Sequence, residues 1–349
     1  MTRKQTKPAP GQSRDTLSGS LVHGIKANAQ SAGSILVLLI LFVLCSIFIN
    51  RFIQFDNIRS ILYSASLLAI AAIGESMVLL TGNYDLSVGS VIGLTAYVVY
   101  DMTSHSVFAG YWIVVFAILF GLVLGAFNGW LVGYMHVPSM VATLGTLSVY
   151  RGICSLYAGP REVTKNQIPA WMNKFSPSSI LGIPTYVWVL LVIVIALTWF
   201  LNNRPAGRHL YAYGSNNAAA PSFGLSGDRI VFGAYAASGA FAGVVGILMG
   251  AQVGTINSVL GNGYEMQVIA AAVIGGVSLW GGVGTPFGAM IGAVIYATLD
   301  NALVLLNVNE YYRLIFQGAA VIVAIGVDAL VRNGVMKSVS RKTILEKVS

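Results

Sequence analysis

Ten stretches of mostly apolar residues alternate with short polar segments, at about 33–50, 58–80, 86–103, 111–134, 137–158, 183–202, 229–251, 264–280, 284–306 and 311–331. Each approaches the length of about 20 residues that an α-helix needs to cross a bilayer. The pattern predicts an all-α polytopic membrane protein with about ten transmembrane helices. Between the second and third runs, Gly82-Asn83-Tyr84-Asp85-Leu86-Ser87-Val88-Gly89-Ser90 places an acidic residue, hydroxyls and glycines where the apolar pattern breaks. Unwound backbone survives at membrane depth only where protein or a water-filled cavity satisfies it, so the break predicts a discontinuous helix near residues 80–90 beside a solute path. A tight surface turn, with Gly82 at positive φ and Asp85 capping the next helix, accounts for the same residues.

Composition agrees with the membrane reading: of 349 residues, 56% are hydrophobic and 9% charged, and mean hydropathy is +0.75, which leaves no room for a large soluble domain. Cys45 and Cys154 lie inside apolar runs without a C-x-x-C pair, so they read as packing residues rather than a disulfide framework or zinc site. The net charge of +8 comes mainly from the tails and one internal loop. That distribution points to membrane orientation rather than to a nucleic-acid partner.

Ten spans place both termini on one side, together with Arg3, Lys4, Lys7, Arg14 and Lys26, with Arg204, Arg208 and Arg229, and with Arg332, Lys337, Arg341, Lys342 and Lys347. The excess of basic residues makes that side cytoplasmic. The expected organisation is a cytoplasmic tail over 1–32, a transmembrane permease domain over 33–331 and a cytoplasmic tail over 332–349. Within the domain, 159–182 forms the largest outer loop, and 203–228 forms a polar inward loop long enough for a short helix. No cleavage pattern follows the first run, which reads as a retained helix. Residues 125–129 running to Val137-Pro138 echo 297–301 running to Asn307-Val308, five spans apart. An odd offset reverses orientation and implies an inverted repeat; chance likeness between small-residue helices is the competing explanation.

Ionisable groups inside the runs are few: Glu75, Asp85, Arg151, Glu265 and Asp300. Each is costly to bury without a partner, and Glu75 lies deepest. Gly239, Gly243, Gly246 and Gly250 present a small-residue ridge for close helix approach, within one chain or across a dimer. Gly281-Gly282-Val283-Gly284-Thr285-Pro286 reads as a tight cytoplasmic turn. The chain has no G-x-x-x-x-G-K-[ST], no H-E-x-x-H and no G-x-S-x-G, and its histidines are scattered. It is therefore expected to be non-catalytic, without a metal or cofactor of its own.

Seven ordered blocks then carry a resemblance. They are Asp85-Leu86-Ser87-Val88-Gly89-Ser90; Asn128-Gly129 with Val137-Pro138 and Thr143-Leu144-Gly145-Thr146; Arg151-Gly152; Gly207-Arg208-x-Leu210-Tyr211-Ala212-x-Gly214; Gly263-Tyr264-Glu265-Met266; Ile269-Ala270-Ala271; and Gly275-Gly276-Val277-Ser278-Leu279-x-Gly281-Gly282. Over about 58–331 the chain resembles the permease subunits of bacterial ABC sugar importers of the ribose, xylose, arabinose and rhamnose type, which include autoinducer-2 permeases. The resemblance implies a bacterial inner-membrane protein that translocates a sugar-like solute. Its implied partners are a periplasmic binding protein, a second permease copy or paralogue, and an ATPase subunit with two fused nucleotide-binding domains that binds ATP and Mg.

On that resemblance, Asn83, Tyr84, Asp85, Ser87, Asn128, Tyr264, Glu265 and Asn301 are expected along the translocation path. Arg208, Tyr211, Gly214, Asn216, Asn217, Ala218, Ala219 and Gly224 are expected to couple to the ATPase. Asn83 and Tyr84 replace a Gly and an Ile usual in relatives, and Asn217 replaces a Glu. Pro221 stands where a helix former is usual and is expected to bend or end a coupling helix. A proton-coupled secondary transporter using the intramembrane carboxylates is the rival reading.

Overall fold

The computed structural model describes residues 33–105, 110–323, 325, 326 and 329. The expected tails, 1–32 and 332–349, lie outside them. The described chain is helical: α1 (Gly33–Phe48), α2 (Phe55–Leu80), α3 (Val88–Ser104), α4 (Trp112–Gly129, extended by a π-turn over Trp130–Tyr134), α5 (Ser139–Ala158), the short α6 (Ala170–Phe175), α7 (Thr185–Asn203), α8 (Pro205–Ser215), α9 (Gly227–Val253), α10 (Tyr264–Ile274), α11 (Pro286–Leu305) and α12 (310–323). Among the described residues, five are long and apolar enough to cross a membrane: α2, α4 with its π-turn, α7, α9 and α11. Every apolar run of the sequence contains a helix, but the run at 264–280 is cut short. Gly276 adopts φ 88°, a left-handed geometry that ends α10 two residues earlier.

Helix α9 is the mast of the bundle, and its glycines decide what packs there. An added Cβ on Gly121 would strike the Gly239 carbonyl, one on Gly125 the Tyr235 carbonyl, one on Gly129 the Phe232 backbone and one on Gly133 the Asp228 carbonyl. Four glycines at every fourth position thus form a groove along α4 into which α9 fits at backbone contact. Higher on α9, Gly246 lies against Ile92 and Ala96, and Gly250 against the Tyr100 ring, so the next stretch of the same ridge receives α3. Lipid tails are as apolar as the side chains, so helices here associate through close packing rather than water exclusion. The ridge expected on α9 serves contacts inside this chain.

The two interhelical loops are tied down. Residues 159–182 carry strand β1 (Val163–Thr164), which pairs antiparallel with β4 (Thr255–Ile256), and a hairpin of β2 (Ser179–Ile180) with β3 (Ile183–Pro184). The loop at 203–228 folds into α8, with Pro205 in its first turn, and a 3-10 turn over Ala220–Phe223. Pro221 falls in the first turn of that 3-10 element, beyond the end of α8 at Ser215, where its missing amide costs nothing.

Replacing Gly125 or Gly239 with Leu forces apart backbones already in contact and is expected to lower stability by about 1–3 kcal/mol or more. Gly145 has no neighbouring atom within 4 Å of an added Cβ. Gly145→Ala should therefore be neutral or stabilising by up to about 1 kcal/mol. Thermal unfolding of the detergent-solubilised protein compares the three; equal midpoints would show that α4–α9 contact does not hold the bundle.

Candidate translocation site

Helix α2 stops at Leu80, and the chain reverses through residues 81–87 before α3 begins. Gly82 supplies the left-handed turn at φ 77°, while Thr81 and Gly82 donate back to Val78 and Leu79. The reversal sits among protein atoms: Asp85 is 1% exposed and Ser87 is fully buried. Asp85 organises it. One carboxylate oxygen accepts from the Ser87 amide at 2.9 Å and from the Ser87 hydroxyl at 2.6 Å, and the Asn128 amide reaches it at 3.5 Å and the Ser87 hydroxyl oxygen at 2.7 Å. The Asp85 amide donates to the Glu75 carboxylate at 3.0 Å. The deep carboxyl on α2 thus finds its partner in the backbone of the break itself, one turn and a reversal further along the chain.

Tyr84 is held at both ends. Its carbonyl accepts from the Tyr235 hydroxyl at 2.7 Å and from Thr143 at 3.5 Å, and its own hydroxyl donates to the Leu279 carbonyl at 3.0 Å. Asn83 turns its amide to the Thr81 hydroxyl at 3.0 Å. Leu279 belongs to a second reversal, 275–285, between α10 and α11, in which Gly276, Gly281, Gly282 and Gly284 all have positive φ. The two reversals interlock, since the Gly282 amide donates to the Leu80 carbonyl at 2.9 Å and a Cβ on Gly281 would run into Gly82. Thr285 caps α11 by accepting from the Gly288 amide, and Pro286 follows inside the first turn.

Helix α8 lies across both reversals. Gly214 touches the Leu80 carbonyl and Gly282 so closely that no side chain fits, and the Tyr211 hydroxyl donates to the Gly284 carbonyl at 2.9 Å. Burial pushes the Tyr211 phenol up to about 12, so it remains a protonated donor at neutral pH. Arg208 points elsewhere, to the last carbonyls of α7 at Asn202 and Asn203. Asn216 accepts from the Ala219 amide, Gly224 takes φ 74°, and Asn216, Asn217, Ala218 and the 81% exposed Phe223 form an arm open to solvent beyond α8, with Ala219 half-buried behind them.

Of the remaining expected path residues, Glu265 lies beside the start of α3 and Asn301 far from the break. Glu265, in the first turn of α10, packs against Gly89 on α3, with one carboxylate oxygen buried and unbonded. Arg151 braces the preceding loop by donating to the Leu260 carbonyl at 2.8 Å and to Ser258 at 3.4 Å. Asn301 donates to Asn57 at 2.9 Å. Asn57 is 18 residues before Glu75 on one continuous helix, so this bond lies about 27 Å along α2 from the reversal. Tyr264, next to Glu265, faces a cavity walled by the middle of α2 and the second half of α11. Tyr235 joins the site with no sequence signal, because it lies in the middle of a regular helix; Thr143 falls within a motif block but only folding shows that it faces Tyr84.

Apolar helices packed at backbone contact around a buried polar break, with an amphipathic helix laid across one end, define a helical membrane protein built to pass solute. The chain matches the family described as "Branched-chain amino acid transport system / permease component" over residues 57–325, and it belongs to that family. It is a transport permease, a membrane subunit rather than a catalyst. The autoinducer 2 import system permease protein LsrC of Yersinia pseudotuberculosis serotype O:3 (strain YPIII) is 35% identical over 318 residues, covering 90% of this chain and 89% of the relative. The protein of the same name from Yersinia pestis (strain Pestoides F) is 34% identical over 315 residues with the same coverage. No solved structure matches significantly.

The Glu75 acceptor is testable by itself. Glu75→Gln keeps an oxygen for the Asp85 amide, whereas Glu75→Leu strands that buried N–H at a cost of about 1–3 kcal/mol. The Leu variant should unfold at a lower temperature than the Gln variant in detergent; identical midpoints would mean that this bond does not hold the reversal.

Proposed function

We propose that this chain is the membrane subunit of an ATP-driven importer that carries a small sugar-like solute, of the kind represented by autoinducer 2, across a bacterial inner membrane. In this reading the ten helical segments all cross or enter the bilayer with both termini cytoplasmic. A periplasmic binding protein delivers the solute, and a second permease copy or paralogue completes the path. An ATPase subunit with two fused nucleotide-binding domains, holding ATP and Mg, sits under α8. Support for the partners comes from the family and from the names of the relatives.

The observation that carries the reading is the placement of α8. Its arm exposes residues 216–218 and 221–224 for a partner, while Gly214 and Tyr211 join it to the ends of α2 and α10–α11. A displacement of the arm is passed to Leu80 and Gly282, and from Leu279 through the Tyr84 hydroxyl to Asp85 and Asn128. Polar side chains that exchange weak hydrogen bonds there suit a hydroxyl-rich solute, which must enter and leave without being trapped. Arg208, in caging the end of α7, positions α8 rather than touching the solute.

An inverted repeat is supported by matching turns. His136 at φ 55° and Asn307 at φ 54° both follow a long helix, and the next residue donates back, Val137 to Leu131 and Val308 to Leu303, each at 3.0 Å. One turn lies at the α8 end, near Asp228, and the other at the far end, near Asn57. Proton-coupled transport is the second reading. Its support is the Glu75–Asp85 pair, which has no ion-pair partner among the described residues.

Reconstitution separates the two. The purified permease alone should hydrolyse no ATP, and vesicles holding the whole complex should take up autoinducer 2 only with ATP. Cysteine at Ala218 should crosslink to the ATPase, and Arg208→Glu should leave hydrolysis while lowering uptake severalfold. Uptake that runs on a proton gradient without ATP would overturn the importer and make Glu75 and Asp85 the coupling groups.

A further inference from the structure

A cavity of about 380 Å³ opens between α2, α9, α10 and α11, and its polar lining comes from Ser64, Gln252, Tyr264, Gln267, Tyr296 and Asp300. A second cavity of about 340 Å³ lies beside it, bordered by Asp56, Arg59, Ser60, Tyr63 and Lys165. Gln252 borders both, so it stands at the passage between them. The outer chamber lies against the first turns of α2, and the inner one between the middle of α2, the last turns of α9, the start of α10 and the second half of α11. Ser64 is 16 residues before Leu80 on α2, about 24 Å along the helix from the α8 contact.

We infer that these two chambers form a solute vestibule at the end of the bundle remote from α8, and that the inner one binds an uncharged, polyhydroxylated small molecule; the inference rests on the permease reading above. The inner volume falls within the roughly 300–1,000 Å³ of small-molecule clefts. Tyr296 is 4% exposed, and its hydroxyl, buried on the chamber wall, has no hydrogen-bond partner. Gln252, by contrast, is exposed where the two chambers meet, and its carboxamide is open to a solute hydroxyl. Two carboxamides both donate and accept, and two tyrosines offer rings on which a sugar face stacks.

Charge selects the class of solute. Asp300 is the acidic group of the inner chamber, and Arg313 clamps both of its oxygens at 2.9 Å while Gln317 reaches one at 3.5 Å. The carboxylate is thus neutralised from within the protein. An amino-acid zwitterion would need an anion for its ammonium and a cation for its carboxylate, and the inner lining offers neither uncompensated. The charged groups, Asp56, Arg59 and Lys165, belong to the outer chamber.

The test uses the whole complex in sealed vesicles of known orientation, with Cys45 and Cys154 replaced by Ala. Cysteine at Gln267 should react with a charged, membrane-impermeant maleimide added on the side remote from α8. Labelling only from the α8 side, only by a lipid-soluble maleimide, or not at all would overturn the vestibule. Gln252→Leu and Gln267→Leu should each lower autoinducer 2 uptake about three- to tenfold, the effect of one lost hydrogen bond to an uncharged group. Stimulation of ATPase by the loaded binding protein should persist. Unchanged uptake in both variants overturns solute binding at these residues. If the unmodified complex moves no autoinducer 2, the importer reading of the substrate fails, while the labelling result still decides whether the chamber opens outward.

Discussion

Everything at the α8 end depends on one constraint: a chain that reverses inside an apolar bundle must find hydrogen-bond partners for its own backbone. Water and lipid tails do not supply them there. The reversal at 81–87 meets this by turning side chains inward, with Glu75 taking the Asp85 amide, Asp85 taking the Ser87 amide, and Tyr235 and Thr143 serving the Tyr84 carbonyl. The acidic residues therefore have a structural duty whatever their part in transport.

The same constraint explains why the second reversal, 275–285, sits directly against the first. Each leaves carbonyls and amides that its own turn does not use, and pairing Gly282 with Leu80 satisfies one of each. Glycine makes that pairing possible, because a Cβ on Gly214, Gly281 or Gly282 would occupy the contact. Helix α8 is drawn into the arrangement by the same absence of side chains. Close contact at Gly214 and the Tyr211 hydroxyl bond to Gly284 join α8 to both reversals.

Much of this was legible in the sequence, and the limits have physical causes. The apolar runs located the helices because hydrophobic length alone fixes them. The break at Gly82–Ser90 was legible because an acid and a glycine stand out from apolar neighbours. The α4–α9 groove was half legible: the ridge on α9 was read, but Gly121, Gly125, Gly129 and Gly133 were not matched to it, since sequence spacing shows a ridge and never which helix it meets. Tyr235 was invisible for the same reason. Asn301 was expected along the path with Asp85, and the fold sets it about 27 Å along α2 from the reversal, beside Asn57; order along a chain does not say how deep a residue lies.

That separation by depth bears on how selectivity is divided. The polar groups near Asp85 are consumed by backbone duty, with Asn128 committed to Ser87 and Tyr84 committed at both ends. Gln252 is not so committed, and it stands exposed where two chambers meet. A residue that already holds the fold together is a poor one to vary for a new ligand, because each change is felt first as lost stability. Side chains that carry no such duty, Gln252 among them, are the ones the fold leaves free to vary.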